Sequence, residues 1–271
     1  MKILISGGAG FIGYHLACKF LKENHNVTLI DNLNKTGIDS ELKNLVNNKN
    51  IKLIEKNLEN TEELLDLPDD FEIVIHLAAI LGVQNVIDNS FKVLDLNVKM
   101  LSNMLYLAQK QKRLYKFLFA STSEVYAGTL EKSLLEVPTP ENSYILLPDL
   151  NMPRTSYMLS KIYGEAMCIA SGLPIINIRP HNIYGPRMGF SHVIPQIINR
   201  VIDTKIGGRL GVYSPKHTRV FCYIDDATSL IYKLLFNSKE KNITINLGNN
   251  YPEIKINNLV KKILRKMNRE D

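Results

Sequence analysis

The sequence predicts an α/β fold, a doubly wound parallel sheet followed by a small C-terminal lobe, and three observations carry that prediction. Apolar runs rich in Val, Ile and Leu recur through residues 1–180, stretches with helical spacing separate them, and a glycine-rich turn follows the first run directly. Continuous apolar strands alternating with helices indicate a parallel sheet covered on both faces. In such sheets ligands sit beyond the carboxyl ends of the strands.

Taken in order, Lys2–Ser6 contains Ile3-Leu4-Ile5 and reads as a buried strand. Gly7-Gly8-Ala9-Gly10-Phe11-Ile12-Gly13 follows, and Phe11–Glu23 opens the first amphipathic helix. The alternation continues with strands at Asn26–Asp31, Ile51–Lys56, Ile73–Ala79, Phe117–Ser121 and Ile175–Arg179, and helices at Ser40–Asn47, Val93–Gln111 and Thr155–Ser171. After Arg179 the rhythm changes. His181–Ser191 is turn-rich, a helix runs from about Pro195 to Asp203, and strands are expected near Arg209–Tyr213 and Arg219–Tyr223. Helices near Asp225–Phe236 and Ile256–Met267 complete the chain. The expected division is a dinucleotide-binding domain over 1–180 and a substrate lobe over 181–271, with the chain crossing back to the sheet near 215–248.

The 271 residues can bury a large core, and 45% hydrophobic with 22% charged residues is ordinary for a globular enzyme. The longest apolar stretch, Ile73 to Val83, is interrupted by His76 and is too short to span a bilayer, so no membrane association is expected. Met1-Lys2 leads straight into a strand, which speaks against a signal peptide. Cys18, Cys168 and Cys222 lie far apart without metal or redox spacing and read as reduced core residues of a cytoplasmic protein with no metal site. The net charge of +6 owes much to Lys255, Lys261, Lys262, Arg265, Lys266 and Arg269. Those basic residues share a helix with apolar Ile256, Leu259, Val260 and Ile263 on its other face, a solvated surface and not a nucleic-acid site. A small anionic substrate fits the remaining charge.

The glycine loop lies between a strand and a helix, the arrangement that holds a dinucleotide pyrophosphate. Its spacing, Gly7, Gly10, Gly13, meets the same needs as the commoner G-x-G-x-x-G: a tight turn, close approach of backbone to phosphate, and close helix–strand packing. Asp31 ends the second strand, where a carboxylate accepts hydrogen bonds from ribose hydroxyls and repels a 2′-phosphate. NAD is therefore favoured, with Lys35 nearby leaving NADP open. Tyr157 and Lys161 fall four residues apart on one helix face, and an ammonium there lowers a phenol's pKa. Phe119-Ala120-Ser121-Thr122-Ser123-Glu124-Val125-Tyr126 ends the fifth strand at the ligand edge, where the Thr122 hydroxyl can share a substrate proton with Tyr157.

With these motifs in order, joined by Ile75-His76-Leu77-Ala78-Ala79, Asn97, Arg179-Pro180-His181-Asn182-Ile183-Tyr184-Gly185-Pro186-Arg187 and Thr218-Arg219-Val220-Phe221-Cys222-Tyr223-Ile224-Asp225-Asp226, the chain resembles the extended short-chain dehydrogenase/reductase family over nearly its whole length. Within it, the resemblance is to the nucleotide-sugar epimerase/dehydratase branch, with its Rossmann-type fold. The resemblance implies that Thr122, Tyr157 and Lys161 form the hydride-transfer site, with Ser123 and Glu124 beside them. Tyr157 would take the proton of a sugar 4-hydroxyl, and Lys161 would hold the nicotinamide ribose. Gly7, Gly10, Phe11, Ile12, Gly13, Asp31, Asn32, Leu77, Ala78, Ala79 and Asn97 would surround NAD, and Asn57-Leu58 stands where relatives often carry Asp near the adenine. His181, Asn182, Arg187, Tyr213 and Arg219 would meet a nucleoside-diphosphate sugar, an arginine suiting phosphate by charge and geometry. A homodimer is also implied.

Glu124 bears on the reaction. A 4-keto sugar has an acidified neighbouring C–H that a carboxylate can remove, and the Thr-Ser-Glu run resembles GDP-mannose dehydratases and UDP-glucuronate decarboxylases more than plain 4-epimerases. Ser123 departs from the Asp common in dTDP-glucose dehydratases. Dehydration and decarboxylation both stay open, with 4-epimerisation as an alternative. Relatives usually continue past the point where this sequence stops, Asp271, so a shortened lobe and a binding protein without turnover stand as further alternatives.

Overall fold

The computed structural model describes residues 1–269 apart from Thr36, Pro153 and Ser238, with the backbone alone at Val83. Its elements run β1 (Lys2–Ser6), α1 (Phe11–Lys22), β2 (Asn26–Asp31), α2 (Ser40–Val46), β3 (Ile51–Glu55), β4 (Ile73–His76), α3 (Val83–Asp88), α4 (Ser90–Gln109), β5 (Lys116–Ala120), α5 (Ala127–Glu131), α6 (Thr155–Ala170) and β6 (Ile175–Pro180). They continue with β7 (Ile183–Tyr184), α7 (Val193–Asp203), β8 (Thr218–Val220), β9 (Cys222–Tyr223), α8 (Ile224–Phe236), β10 (Ile243–Leu247), β11 (Glu253–Lys255) and α9 (Ile256–Lys266).

A seven-stranded sheet in the order β10-β6-β5-β4-β1-β2-β3 forms the centre, and every paired neighbour in it is parallel. The alternation of side chains along each strand explains why it is buried on both faces. Ile3 and Ile5 of β1 join Leu16, Ala17 and Phe20 of α1 and Ala227, Ile231 and Leu235 of α8 on one side. Leu4, between them in sequence, joins Val74, Phe117 and Phe119 under Met100, Leu101 and Met104 of α4 and Cys168 of α6 on the other. Each such fully buried aliphatic or aromatic side chain is worth about 1.5–3 kcal/mol over its exposed state. The strand order reverses at β1, which has β2 on one side and β4 on the other. The crevice beyond the carboxyl ends of β1 and β4 is the place such sheets offer a ligand.

A smaller unit packs Ile197 and Val201 of α7 against Ile256, Leu259 and Val260 of α9. Two short ladders accompany it: β8 with β11, antiparallel, and β7 with β9, parallel. The strand expected at Arg209–Tyr213 does not form. Its alternation is real, since Leu210 and Val212 pack on this third cluster, but no neighbouring strand completes a ladder there. The strand expected to reach Ala79 stops at His76, and α3 and α5 form where no helix was expected. The chain does return to the main sheet: α8 covers α1, and β10 adds the edge strand beside β6. Among the described residues no helix is long and apolar enough to cross a membrane.

Candidate active site

The glycine loop turns sharply after β1 because Gly7 takes a left-handed conformation, φ +71°. A Cβ on Gly7 would stand 2.8 Å from the Ala78 nitrogen, and one on Gly13 would stand 2.4 Å from the Gly7 carbonyl oxygen. Loop, helix α1 and the segment after β4 thus meet at backbone distance. Gly10 caps α1 with no side-chain acceptor, and the first turn holds no acidic residue. The free N–H groups and the positive end of the helix dipole at that turn fit a diphosphate. Phe11 packs edge-on against His15, and Ile12 reaches the core under the loop.

Asp31, at the end of β2, accepts hydrogen bonds from Ala9 N at 3.1 Å and Leu33 N at 2.9 Å. Besides standing where a ribose would lie, it braces the glycine loop, a part the sequence did not reveal. Asn32 accepts from Asn34 N at 3.2 Å, and Asn57 accepts from Glu59 N at 3.1 Å, so both shape turns at the strand ends. Leu58 is buried, and its carbonyl accepts from Asn103 at 2.8 Å. Leu77 donates its N–H to the Ser6 carbonyl at 3.1 Å, which leads Ala78 and Ala79 along the crevice. Asn97 is a staple: its side chain accepts from Ile80 N at 2.7 Å, donates to Ile80 O at 3.1 Å and reaches Ser160 Oγ on α6 at 3.3 Å.

Across the crevice, Thr122 ends the β5 segment and Tyr157 and Lys161 rise from α6. Thr122 Oγ1 accepts from Glu124 N at 3.3 Å and hydrogen-bonds the Tyr157 phenol. Lys161 is 4% exposed, donates to the Ala120 carbonyl at 2.7 Å, and lies 4.9 Å from the Phe119 ring centre and 5.8 Å from that of Tyr157. Burial pushes its ammonium down to about 8, opposed by the negative field of Cys168 and Glu165. Burial, with Lys161 adding to it, also pushes His76 down to about 3, so its ring stays neutral against Ser6 Oγ at 2.7 Å.

The sequence expectation that Lys161 lowers the Tyr157 phenol is not met in this geometry. Burial and the charge of Glu124 push the phenol up, against the Thr122 hydrogen bond and Arg154. The lysine is turned to a carbonyl and not to the phenol. A tyrosine held neutral and hydrogen-bonded to Thr122 is ready to donate a proton to a carbonyl, and to take one when a positive charge enters beside it.

Glu124 forms an ion pair with Arg154, a residue the sequence reading did not single out. Burial raises the Glu124 carboxyl, and Arg154 opposes that rise. Ser123 Oγ lies 2.9 Å from His181 Nδ1, and His181 Nε2 lies 2.8 Å from Asn182 Nδ2. Because Asn182 Nδ2 can only donate, Nε2 accepts and Nδ1 carries the proton toward Ser123. Asn182 also donates to the Val220 carbonyl at 3.0 Å, and Arg219 next to it in sequence holds the Thr218 carbonyl at 2.8 Å. Burial and the Arg219 charge keep the His181 imidazole below its usual pKa.

Thr122, Ser123, Glu124, Tyr157, Lys161, His181 and Asn182 therefore share one region, with Arg219 close enough to bias His181. Arg187 and Tyr213 stand apart from it. Arg187 pairs with Asp39 and Glu41, donates to Ala9 O at 3.3 Å and stacks over Tyr14 at 4.2 Å. That fastens it to the glycine loop, not among the groups around Tyr157. Tyr213 is 77% exposed under the Arg200 guanidinium, beside a cavity of about 60 Å³ lined by α7 and α9. The signal for the missed Arg154 was its place three residues before Tyr157, on the opening of the same helix.

A glycine turn at a helix N-terminus, an acid at the end of β2 and a Thr–Tyr–Lys group across the crevice are the arrangement expected of a dinucleotide-dependent enzyme. The chain belongs to the NAD dependent epimerase/dehydratase family, whose sequence model matches residues 3–248. It is 35% identical over 257 residues to the UDP-N-acetyl-alpha-D-glucosaminuronate decarboxylase of Bacillus cytotoxicus, covering 91% of this chain and 74% of that protein. It is 31% identical to the dTDP-D-glucose 4,6-dehydratase of Dictyostelium discoideum, covering 97% of this chain and 61% of that one. A solved structure of TunA, an NAD dependent NDP-hexosamine 5,6-dehydratase, superposes with a TM-score of 0.79 at 26% identity, over 100% of this chain and 82% of that one. The cofactor is NAD, in keeping with the glycine turn that follows β1.

Proposed function

We propose that this protein is an NAD-dependent enzyme acting on a nucleotide-diphosphate sugar through a 4-keto intermediate, followed by elimination of water or loss of carbon dioxide. The observation that carries the reading is the Thr122–Tyr157–Lys161 group at the ligand edge of the sheet with Glu124 beside it. Tyr157 and Thr122 bind the sugar's 4-hydroxyl, and Tyr157 as phenolate takes its proton and becomes the neutral phenol; Lys161, charged below about pH 8, favours the phenolate that accepts it. Bound NAD supplies the hydride acceptor that lets the alcohol carbon become a carbonyl. Glu124 is then the carboxylate nearest the acidified C–H, and Tyr157 returns a proton at the end of the cycle. Asn182 and Arg219 are assigned to the diphosphate, and His181 to the sugar.

The relatives support this reading, since both curated proteins named above are a decarboxylase and a dehydratase of nucleotide sugars. A 4-epimerase is the second reading, favoured if the product keeps the substrate's mass. Free thiols at Cys18, Cys168 and Cys222 suit a reducing, cytoplasmic setting. Phe91 and Tyr106 of α4 and Tyr163 and Ile169 of α6 stand exposed, which suits pairing of two copies across these helices, a point light scattering decides. The test of the reaction is mass spectrometry of UDP-, dTDP- and GDP-sugars and their uronates after incubation with the protein and NAD. Loss of water or of carbon dioxide is the expected result, abolished in Tyr157→Phe. Unchanged masses with an inverted C4 centre in NMR would replace the reading by epimerisation.

A further inference from the structure

We infer that Arg154 is a specificity residue that admits a sugar uronate, by cancelling the charge of Glu124 and presenting its remaining N–H groups to the substrate's carboxylate. The inference rests on the 4-keto reading above and narrows its substrate class to nucleoside-diphosphate uronates.

A uronate carboxylate brought beside an unpaired Glu124 would meet a like charge. Arg154 removes that obstacle. It stands at the start of α6, three residues before Tyr157, and its Nη2 donates to Glu124 Oε1 across the entrance of the site. A guanidinium has five donors in a planar fork. In Arg154 only the Nη2 contact to Glu124 is taken among the described residues, so the rest of the fork is free for a second carboxylate. Both side chains keep partial exposure, 49% for Arg154 and 35% for Glu124, so the pair is open to solvent and not sealed in the core. Of the other cations nearby, Lys161 is committed to the Ala120 carbonyl and Arg179 to Glu165 and the Glu141 carbonyl, while Arg219 neighbours His181 and is assigned to the diphosphate. The charges of Arg154 and Glu124 both act on the Tyr157 phenol, Glu124 raising and Arg154 lowering its pKa.

The pairing also changes what Glu124 can do. Arg154 takes away part of the basicity that burial gives the Glu124 carboxyl, which still stands above its usual range. Decarboxylation of a 4-keto uronate needs no such base. The C5–C6 bond breaks, its electron pair moves into the enolate of the C4 carbonyl, carbon dioxide leaves, and C5 takes up one proton. Tyr157, held neutral, hydrogen-bonds the oxygen on which that negative charge develops.

The test is titration calorimetry of the full chain with NAD, using the glucuronate and glucose forms of UDP, dTDP and GDP. For the nucleotide bound most tightly, the uronate is expected to bind at least tenfold more tightly than the hexose. Arg154→Met should lose tenfold or more in uronate affinity with less than twofold change for the hexose, and Arg154→Lys should lie between. Adding Glu124→Gln to Arg154→Met should recover uronate binding, which a fold defect would not allow. Equal losses on both sugars, no loss on either, or no uronate binding by the unaltered protein overturns the inference. Transfer of deuterium from C4-labelled sugars to NAD, followed in parallel, reports the 4-keto reading separately. Transfer with an indifferent Arg154→Met removes only this inference. Arg154-dependent uronate selectivity without transfer removes only the 4-keto chemistry.

Discussion

Replacing Lys161 by methionine should separate what the active site needs from what the fold needs. The side chain keeps its length, loses its charge and stays in the same apolar surroundings beside Phe119. In the folded protein the ammonium is pushed down to about 8 by burial, against 10.5 in the unfolded chain. The sign follows from proton counting. Below pH 8 both states carry the proton, and the folded state bears the whole cost of a buried charge. Between pH 8 and 10.5 the folded protein has released the proton while the unfolded chain still holds it, so stability climbs with pH; above that window the contribution is flat. At about 1.4 kcal/mol per pKa unit, the cost relieved is about 3 kcal/mol. Against it stands the lost hydrogen bond to the Ala120 carbonyl, whose unsatisfied oxygen costs about 1–3 kcal/mol. At pH 7 the variant is therefore expected to match the unaltered protein or exceed it by up to about 2 kcal/mol, while losing catalysis. The sharper quantity is the difference between the two proteins in urea unfolding at pH 7, 8, 9 and 10. Other titrations cancel in it, and it should move toward the unaltered protein by about 3 kcal/mol across the full window from pH 8 to 10.5. A pH-independent difference would refute the buried-charge argument.

Two further changes test the framework around that lysine. Gly13→Ala places a Cβ 2.4 Å from the Gly7 carbonyl, and the strain of about 1–3 kcal/mol outweighs the roughly 0.5–1 kcal/mol that alanine gains in a helix. Calorimetry should show NAD affinity down tenfold or more and thermal melting lower by a few degrees; unaltered values for both would mean the loop has room that its geometry denies. Arg179→Met leaves Glu165 buried without its partner, an expected loss of about 3–5 kcal/mol in urea unfolding. Arg179→Met with Glu165→Gln should recover much of it, and a double variant no better than the single one would show that the charge is not what matters.

The dinucleotide half was legible because its signals are local. Ile3-Leu4-Ile5 followed by three spaced glycines needs no distant partner to be read, and the same holds for Asp31 at a strand end. The pair Tyr157 and Lys161 was readable for the same reason, being one helical turn apart. What escaped depends on neighbours far along the chain. Glu124 and Arg154 are 30 residues apart, and Glu165 and Arg179 are 14 apart, so neither pairing has a sequence signature. Ile243–Leu247 alternates Ile with Thr and Asn because β10 is an edge strand with partial exposure, and it lacks the continuous apolar run that marked the others. Arg209–Tyr213 failed for the opposite reason: the right local pattern, with no strand beside it. Arg187 was expected at the substrate, but in the fold it pairs with Asp39 and Glu41.

The return of the chain to the sheet governs how this protein can be divided. Residues 181–223 and 249–269 build the smaller unit from two separate passes, with α8 and β10 belonging to the main sheet in between. A cut after Pro180 leaves β6 with an open hydrogen-bonding edge and strips α1 of Ala227, Ile231 and Leu235. A ribosome must therefore extrude the chain through Leu247 before the nucleotide-binding half can close. For the same reason a chimera that takes the smaller unit from another protein has to exchange two inserts at once, since no single crossover point separates that unit from the main sheet.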